Sequence, residues 1–310
     1  RCTGIINPCN KLYYLDEFLI NVVFLSKNSG MEIVKSVDAI KEIIREHKND
    51  EESIGFVPTM GALHEGHIAL ARRSVQENMI TIMSIFVNPT QFNDADDLKK
   101  YPRNLEEDVR LLKYEKVDYV FAPETDDIYP KEDTRTFDFK GLDTVMEGKY
   151  RKGHFNGVAQ VVSRLLEIIP ADRAYFGTKD FQQLAIVKYL VKNYMPDIET
   201  EIIEYPTVRE KDGLAMSSRN SLLSKSERLA APVIYETLSH FKTKVNTLGV
   251  DEIKDEIVKK INAHPLLTVE YFEIVNNESL QPVSEIVPGK TTGCIAVYAG
   301  KVRLIDNIPF

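Results

Sequence analysis

The chain has 310 residues, of which 43% are hydrophobic, and this is enough to bury a sizeable core and to form two domains. Its 39 basic and 47 acidic residues give a net charge of −8, and no long basic run interrupts this balance. A large nucleic-acid or acidic-membrane surface is therefore not expected, and small substrates fit the charge better. Three scattered cysteines, Cys2, Cys9 and Cys294, are too few for a disulfide framework or a zinc cluster, so we expect a reducing cytoplasm.

Residues 1–30 differ in character from the rest of the chain. Residues 12–25 are apolar enough to suggest a signal peptide, but two acidic residues interrupt them and they are too short to span a bilayer. Met31 stands directly before an alternating segment, residues 32–35, that is typical of a first strand. We interpret residues 1–30 as an upstream extension outside the fold. A genuine N-terminal helix is the alternative.

From Met31 to residue 206, short β-branched runs alternate with longer helical periodicities. This alternation predicts an α/β domain in which helices cover a parallel sheet. The predicted strands are residues 32–35, 54–58, 80–87, 118–122, 173–176 and 199–204. The predicted helices are residues 36–48, 65–78, 105–116, 156–169 and 181–193.

Residues 207–310 have a different pattern, which predicts a smaller α+β domain. Helical stretches at residues 224–248 and 251–263 precede strands at residues 268–275, 293–298 and 301–306. The Ala299–Gly300 pair between the last two strands suits a two-residue hairpin turn. We therefore predict a domain boundary between residues 206 and 207.

The most informative segment is residues 55–67, where an apolar strand runs through glycine and proline into a helix. The N-terminus of this helix is predicted to bind phosphate, because unpaired amides and the helix dipole attract anions. Gly61 and Gly66 let the backbone approach a ligand closely. His64 and His67 are three residues apart, so a first helical turn puts both imidazoles on one face. There they could donate hydrogen bonds to phosphate oxygens.

This histidine pair has two alternative explanations. A zinc site of the His-Glu-x-x-His type needs a spacing of four residues, and the spacing here is three. A pair of solvent-exposed helix histidines stays open if the segment is considered alone.

A second segment, residues 213–220, follows the predicted sheet where a loop can close over a bound nucleotide. The hydroxyls of Ser217 and Ser218 and the guanidinium of Arg219 suit a phosphate clamp. Taken alone, the segment is better explained as an ordinary polar loop with a helix cap at Ser224. The two segments together favour adenylyl transfer.

Both segments resemble motifs of a known superfamily. The histidine pair is similar to the His-x-Gly-His signature of the nucleotidyltransferases, and residues 216–219 resemble their mobile lysine–serine loop. Six segments, in order, then resemble the pantothenate synthetase family: residues 58–67, 85–92, 101–103, 153–155, 175–183 and 216–220. The resemblance runs from Met31 to the end of the chain, and residues 1–30 have no place in it.

The resemblance implies a Rossmann-like parallel sheet with helices on both faces, which binds nucleotide and pantoate within residues 31–206. The C-terminal domain, residues 207–310, would carry the Met216–Arg219 loop. The implied reaction is an ATP-dependent condensation of pantoate with β-alanine through a pantoyl-adenylate, with release of AMP and pyrophosphate. Mg²⁺ is expected with ATP because it screens phosphate charge, although no spacing identifies its ligands. A homodimer is also implied.

The resemblance assigns roles to individual residues. His67 would be the proton donor, His64 its partner on phosphate, and Lys179 the group that neutralises phosphate charge. Gln91 and Gln183 would hold pantoate, because primary amides suit its hydroxyls and carboxylate. For each glutamine alone, an exposed surface position remains the alternative.

The wider set of implied site residues belongs mainly to the nucleotide. The ATP-binding residues would be Met60, Gly61, Ala62, Leu63, His64, Glu65, Gly66, His67, Gly177, Thr178, Lys179, Asp180, Val208, Met216, Ser217, Ser218 and Arg219. Less specific candidates for the same cavity are Asn88, Arg151 and His154. Asp180 has an alternative role as the cap of the helix that begins at Phe181.

Three rival functions remain open from the sequence. A nucleotidyltransferase with a phosphate-bearing substrate would need extra cations. An aminoacyl-tRNA synthetase would need a basic RNA surface, and the net charge of −8 argues against one. A catalytically silent nucleotide-binding regulator could use the same fold, but the intact histidine pair and Lys179 disfavour it.

Overall fold

The computed structural model describes residues 30–92, 98–99, 101–245 and 247–310. The predicted extension therefore lies outside the described residues except for Gly30, and so do Cys2 and Cys9. Within the described ranges, no helix is long and apolar enough to cross a membrane.

A six-stranded parallel sheet forms the centre of the larger part of the molecule. Its strands are β1 (Glu32–Val34), β2 (Ile54–Thr59), β3 (Ile80–Ile85), β4 (Tyr119–Phe121), β5 (Arg173–Gly177) and β6 (Glu201–Tyr205). They lie in the order β1-β4-β3-β2-β5-β6, and every neighbouring pair is parallel. The predicted parallel sheet is confirmed, with small shifts at the strand ends.

Helices cover both faces of this sheet. They are α1 (Val37–Asn49), α2 (Glu65–Glu77), α3 (Leu105–Leu112), α4 (Thr125–Ile128), α5 (Met146–Tyr150), α6 (His154–Ile168) and α7 (Phe181–Tyr194). Successive strand side chains point to opposite faces. Phe56 packs with buried residues of α1, α6 and α7, whereas Val57 packs with those of α2 and α3. The short helices α4 and α5 were not predicted.

Two predicted helices have different ends for local reasons. The helix predicted at residues 105–116 ends at Leu112, and Lys116 has a left-handed φ of 59° that no helix continues through. The helix predicted from residue 156 begins two residues earlier, at His154, after Gly153 with a φ of 81°. Glycine adopts this conformation without steric cost, and it lets the chain turn sharply into α6.

The elements that follow β6 form a smaller α+β part of the molecule. Its elements are α8 (Lys225–Ala230), α9 (Val233–Lys242), α10 (Val250–Asn262), β7 (Leu267–Asn276), β8 (Thr291–Ala299) and β9 (Val302–Pro309). The three strands form an antiparallel sheet in chain order. One face of this sheet packs on α9 and α10, while Tyr271, Val275 and Cys294 join the core of the larger part.

The prediction of one continuous helix at residues 224–248 is wrong. Two helices, α8 and α9, occupy this stretch, and Pro232 lies between them. Proline has no amide N–H and its ring clashes with the preceding turn, so it ends one helix and begins the next. The predicted cap at Ser224 is confirmed, because its Oγ accepts from the Glu227 N–H at 3.3 Å.

The last hairpin turns one residue later than predicted. Ala299 still pairs with Val302, so the two loop residues are Gly300 and Lys301. Gly300 has a φ of 58°. The favoured two-residue hairpin turns need a positive φ at the first loop residue, and glycine adopts it readily.

Candidate active site

The strand order reverses at the pair β2–β5. From β2 the chain continues through β3 and β4 to one side, and from β5 it continues to β6 on the other side. Parallel α/β sheets bind ligands in the crevice at the carboxyl ends of such a pair. β2 ends at Thr59 and β5 at Gly177, and a cleft opens beside both ends.

Most of the predicted site residues line this cleft. They are Met60, His64, Gly66, His67, Asn88, Gln91, Gly177, Lys179, Asp180, Gln183, Val208, Met216, Ser217, Ser218 and Arg219. The predicted residues that do not line it are Gly61, Ala62, Leu63, Glu65, Thr178, Arg151 and His154. The last two line a neighbouring cavity, which shares Lys179, Asp180 and Gln183 with the cleft.

Asp108 holds the turn that leads into α2. Its carboxylate accepts hydrogen bonds from the Ala62 N–H at 2.9 Å and the Leu63 N–H at 2.7 Å. Ala62 has a φ of 49°, an uncommon conformation that persists only with such support. Burial raises the pKa of Asp108, and the two amides act against this rise. Asp108 was not predicted, because it stands among consecutive acidic residues in the first turn of α3 and no pattern distinguishes it.

His64 and His67 cap the N-terminus of α2 with their own side chains. The His64 N–H donates to His67 Nδ1 at 3.3 Å, and the Gly66 N–H donates to His64 Nδ1 at 3.1 Å. Because each Nδ1 accepts a hydrogen bond, each neutral ring carries its proton on Nε2. The rings stack with their centroids 4.0 Å apart, and both line the cleft.

The prediction of unpaired amides at this helix N-terminus is wrong for Gly66 and His67. Their N–H groups donate to His64 Nδ1 and to the His64 carbonyl, respectively. At these positions the two rings offer their Nε2–H groups to a ligand instead. The alternative of an exposed histidine pair is also wrong, because both rings are partly buried and stacked.

Both imidazoles are neutral at neutral pH. Burial, followed by the charge of Lys179, lowers the pKa of His64 to about 4. Burial, followed by the effects of His64 and Lys179, holds the pKa of His67 well below its ordinary value. The pair therefore offers hydrogen-bond donors rather than positive charge. Within the described residues, no group of three or more His, Cys, Asp or Glu side chains could hold a metal ion, so the zinc alternative is not supported.

Gln91 lies in a buried polar corner beyond the end of β3. Its side chain donates from Nε2 to the sulfur of Met60 at 2.9 Å and accepts at Oε1 from Asn88 at 3.3 Å. The Tyr129 hydroxyl in turn donates to Asn88 Oδ1 at 3.0 Å. Gln91 is only 8% exposed, so the surface alternative is wrong for this residue. Gln183, in the first turn of α7, lines the same cleft and is partly buried.

His154 supports Gln91 from outside the cleft. Its Nδ1 is 2.8 Å from the Gln91 carbonyl, and its Nε2 is 3.0 Å from the guanidinium of Arg151. A guanidinium only donates, so Nε2 accepts and Nδ1 donates. Burial and then the charge of Arg151 lower the pKa of His154 to about 4. Arg151 and His154 therefore position the backbone of Gln91 rather than face the cleft.

Lys179 lies in the short turn between β5 and α7. Its Nζ is 3.7 Å from the carboxylate of Asp180. Asp180 occupies the N-cap position of α7 but makes no side-chain cap hydrogen bond, so the alternative role as a side-chain cap is wrong. The carbonyls of Thr178 and Lys179 accept hydrogen bonds from Asn307, a residue that no sequence motif had indicated.

The Met216–Arg219 loop is closed over the turn before α2. Ser218 Oγ donates to the Ala62 carbonyl at 3.0 Å, and the Met216 N–H donates to the Val208 carbonyl at 3.0 Å. The Arg219 guanidinium lies 5.8 Å from the centroid of the Tyr101 ring, which also lines the cleft. This loop and Tyr101 thus line the cleft together with the histidines.

Comparison with known proteins identifies the family of this chain. The model of the pantoate–β-alanine ligase family matches residues 32–309. A pantothenate synthetase of Azobacteroides pseudotrichonymphae is 50% identical over 282 residues, which cover 90% of this chain and 100% of that protein. A crystal structure of the pantothenate synthetase of Thermus thermophilus has a TM-score of 0.83 at 40% identity, and the match covers 90% of this chain and 99% of that chain.

A second similar structure was solved as a complex with ligands. The pantoate–β-alanine ligase of Francisella tularensis, complexed with "Beta-gamma ATP" and β-alanine, has a TM-score of 0.77 at 38% identity. The match covers 90% of this chain and 97% of that chain. The match to the family model spans both sheets and the whole cleft. The chain therefore belongs to the pantoate–β-alanine ligase family, whose members are the enzymes named pantothenate synthetases.

Proposed function

We propose that this ligase consumes ATP and joins pantoate to β-alanine through a pantoyl-adenylate, with release of pyrophosphate and then AMP. One observation carries the proposal: a single cleft holds two neutral imidazole donors, the Lys179 side chain and a buried amide corner at Gln91. The ligands of the Francisella tularensis relative support ATP and β-alanine as substrates.

In the first step, a carboxylate oxygen of pantoate attacks the α-phosphorus of ATP, and the bond to the bridging oxygen of pyrophosphate breaks. Negative charge grows on the phosphate oxygens during this displacement. The Nε2–H groups of His64 and His67 donate to these oxygens, and Lys179 offsets their charge. His67 keeps its Nε2–H directed at the departing pyrophosphate as a hydrogen-bond donor, because its Nδ1 accepts from the His64 N–H.

Pantoate binds at the Gln91 corner. Its hydroxyls and carboxylate need both donors and acceptors, which the amides of Gln91 and Gln183 supply. Its two methyl groups need an apolar wall, and Phe86 and Val158 line the cleft beside this corner. The contacts of Gln91 with Met60 and Asn88 fix its amide before any ligand binds, so little ordering remains for pantoate to impose.

In the second step, the amine of β-alanine attacks the carbonyl carbon of the adenylate. The bond from that carbon to the phosphate oxygen breaks, AMP leaves, and the nitrogen loses a proton. Water would compete for the same carbon, so the intermediate needs a closed site. The hydrogen bond from Ser218 to the Ala62 carbonyl holds the Met216–Arg219 loop in such a closed position.

Mg²⁺ fits this site as an ion that binds together with ATP rather than as one held by protein ligands alone. The described residues hold no cluster of three metal ligands, whereas Asp180 lines the cleft beside Lys179. Mg²⁺ commonly binds one or two carboxylates together with substrate phosphates, so Asp180 and the triphosphate would hold it. When bound, the ion screens phosphate charge.

Oxygen labelling tests the chemical course. Pantoate labelled with ¹⁸O in its carboxylate should place one labelled oxygen in AMP for each pantothenate formed, because the attacking oxygen stays on the α-phosphorus. Mass spectrometry of the products measures this. Label in inorganic phosphate, together with ADP, would indicate an acyl-phosphate and would refute the adenylate.

A further inference from the structure

Asn307, on β9 of the C-terminal unit, holds the turn that carries Lys179. Its Nδ2 donates to the Thr178 carbonyl at 2.8 Å and to the Lys179 carbonyl at 2.9 Å. A primary amide nitrogen has two N–H groups, and these two contacts use both. Asn307 is only 6% exposed, so water does not substitute for it freely.

Asp306 and Arg209 fix Asn307 in turn. The Asp306 carboxylate accepts two hydrogen bonds from the Arg209 guanidinium, at 2.7 and 2.8 Å, and one from the Asn307 N–H at 2.7 Å. A bidentate pair of this kind is strong and geometrically specific. The guanidinium also lies 3.6 Å from the ring centroid of Tyr235. The backbone of Asn307 is therefore rigidly placed.

Arg209 begins the hairpin that leads into the Met216–Arg219 loop. It forms an antiparallel bridge with Ala215, and its guanidinium donates to the Gly213 carbonyl at 3.1 Å. Consecutive residues of β9 thus contact both segments that face the proposed phosphate site. One segment carries Lys179, and the other carries Ser217 and Ser218.

We propose that Asn307 is a positioning residue for adenylate formation: it sets the place of the Lys179 side chain, and the Asp306–Arg209 pair links that place to the Met216–Arg219 loop. This inference rests on the proposed function. A lysine ammonium sits on a flexible four-carbon stem, so its position depends on the backbone from which the stem starts. A displacement of about 1 Å at a reacting group can cost on the order of 10²-fold in rate.

A double-mutant cycle in the full-length protein tests whether Asn307 acts through Lys179. Asn307→Ala and Lys179→Ala are measured singly and together by pantoate-dependent exchange of pyrophosphate into ATP. We expect Asn307→Ala alone to lower the exchange rate about tenfold, because it leaves two carbonyls without a donor. In the Lys179→Ala background it should lower the rate less than about twofold further. The KM for pantoate should stay unchanged.

Asn277→Ala is the matched control. Asn277 belongs to the same unit and donates to the Gly289 carbonyl at 3.2 Å, but it lines neither the cleft nor the neighbouring cavity. Its exchange rate should equal that of the parent. Thermal melting verifies that each variant is folded. If Asn307→Ala does not fold, Asn307→Asp, which keeps the volume but turns a donor into an acceptor, completes the cycle.

The outcomes separate this inference from the function on which it rests. Equal fold losses in the parent and Lys179→Ala backgrounds, or a rise in the pantoate KM, would show that Asn307 only stabilises the fold. A parent protein without pantoate-dependent exchange would instead refute the proposed function itself.

Discussion

The imidazole rings of His64 and His67 stack 4.0 Å apart, and each is fixed by an Nδ1 atom that accepts a backbone N–H. Each ring therefore has two roles in the first turn of α2. Nδ1 caps the helix, and Nε2 remains as a donor for a ligand in the cleft. Because the two nitrogens have different tasks, substitutions can separate them.

His67→Asn and His67→Gln form a matched pair that separates the two tasks. Asn keeps an acceptor near the Nδ1 position and lacks the Nε2 donor, whereas Gln keeps a donor near Nε2 and lacks the cap. We expect His67→Asn to lower kcat by about 10²–10³-fold with little change in the KM for ATP, because the lost donor acts on charge that develops in the transition state. His67→Gln should keep more activity but lose about 1 kcal/mol of stability. The opposite order of kcat values would show that the ring serves only as a cap.

Gln91→Ala and Gln183→Ala should each weaken the binding of pantoate about tenfold and leave ATP binding nearly unchanged. In the proposed site, each substitution removes an amide that hydrogen-bonds the acid and does not reach the nucleotide. Calorimetric titration with each ligand measures both affinities in the same variant, so ATP is the internal control. Weakened ATP binding with normal pantoate binding would reverse the assignment of the pocket.

The stability of the protein should fall as the pH drops from about 6.5 to about 4. The pKa of His154 is lowered from 6.5 to about 4 in the folded state, so the unfolded chain binds its proton first. The resulting stabilisation is complete above pH 6.5 and is lost as the pH falls through this window. For one such group, the free energy of unfolding falls by roughly 3 kcal/mol.

His154→Gln isolates this contribution. The glutamine can still donate to the Gln91 carbonyl and accept from Arg151, but it does not titrate. Urea unfolding at pH 7 and pH 5 should show a smaller loss of stability in the variant than in the parent. Since His64 and His67 act in the same direction in both proteins, parallel losses would assign the pH dependence to them instead.

Deletion of residues 1–30 should leave folding and activity nearly unchanged, because β1 begins at Glu32 and the family match begins at residue 32. Deletion of residues 1–36 is the control. It removes β1, which pairs with β4, and Ser36, which accepts from the Ala39 N–H at the start of α1. Only the longer deletion should lower the melting temperature, and a large drop with the shorter one would mean that the extension belongs to the fold.

The features of the fold and site that depend on residues close together in the sequence could be predicted from the sequence. The alternation of residues 32–35, where β1 forms, and the three-residue spacing of the histidines are signals of this kind. Asp108 and Asn307 could not be found in this way, because they lie 46 and 129 residues from Ala62 and Thr178, to which they bind. Only the folded chain brings such pairs together. The homodimer, the cytoplasmic location and the domain boundary after residue 206 stay predictions.

The split between α8 and α9 shows a different limit. Pro232 stands inside this stretch, but helical periodicity continues on both sides of it, so the periodicity alone does not show the break. The roles of His64 and His67 had a similar limit. Their spacing predicted a shared face, whereas the use of Nδ1 as a cap follows only from the three-dimensional geometry.

Exchange of labelled pyrophosphate into ATP tests the central claim most directly. With pantoate present and β-alanine absent, adenylate formation is reversible while the intermediate stays bound, so label should enter ATP. Addition of β-alanine should then drain the intermediate and yield AMP in step with pantothenate. Exchange that needs β-alanine, or no exchange with pantoate over a wide range of Mg²⁺ and protein concentrations, would contradict a pantoyl-adenylate formed in this cleft.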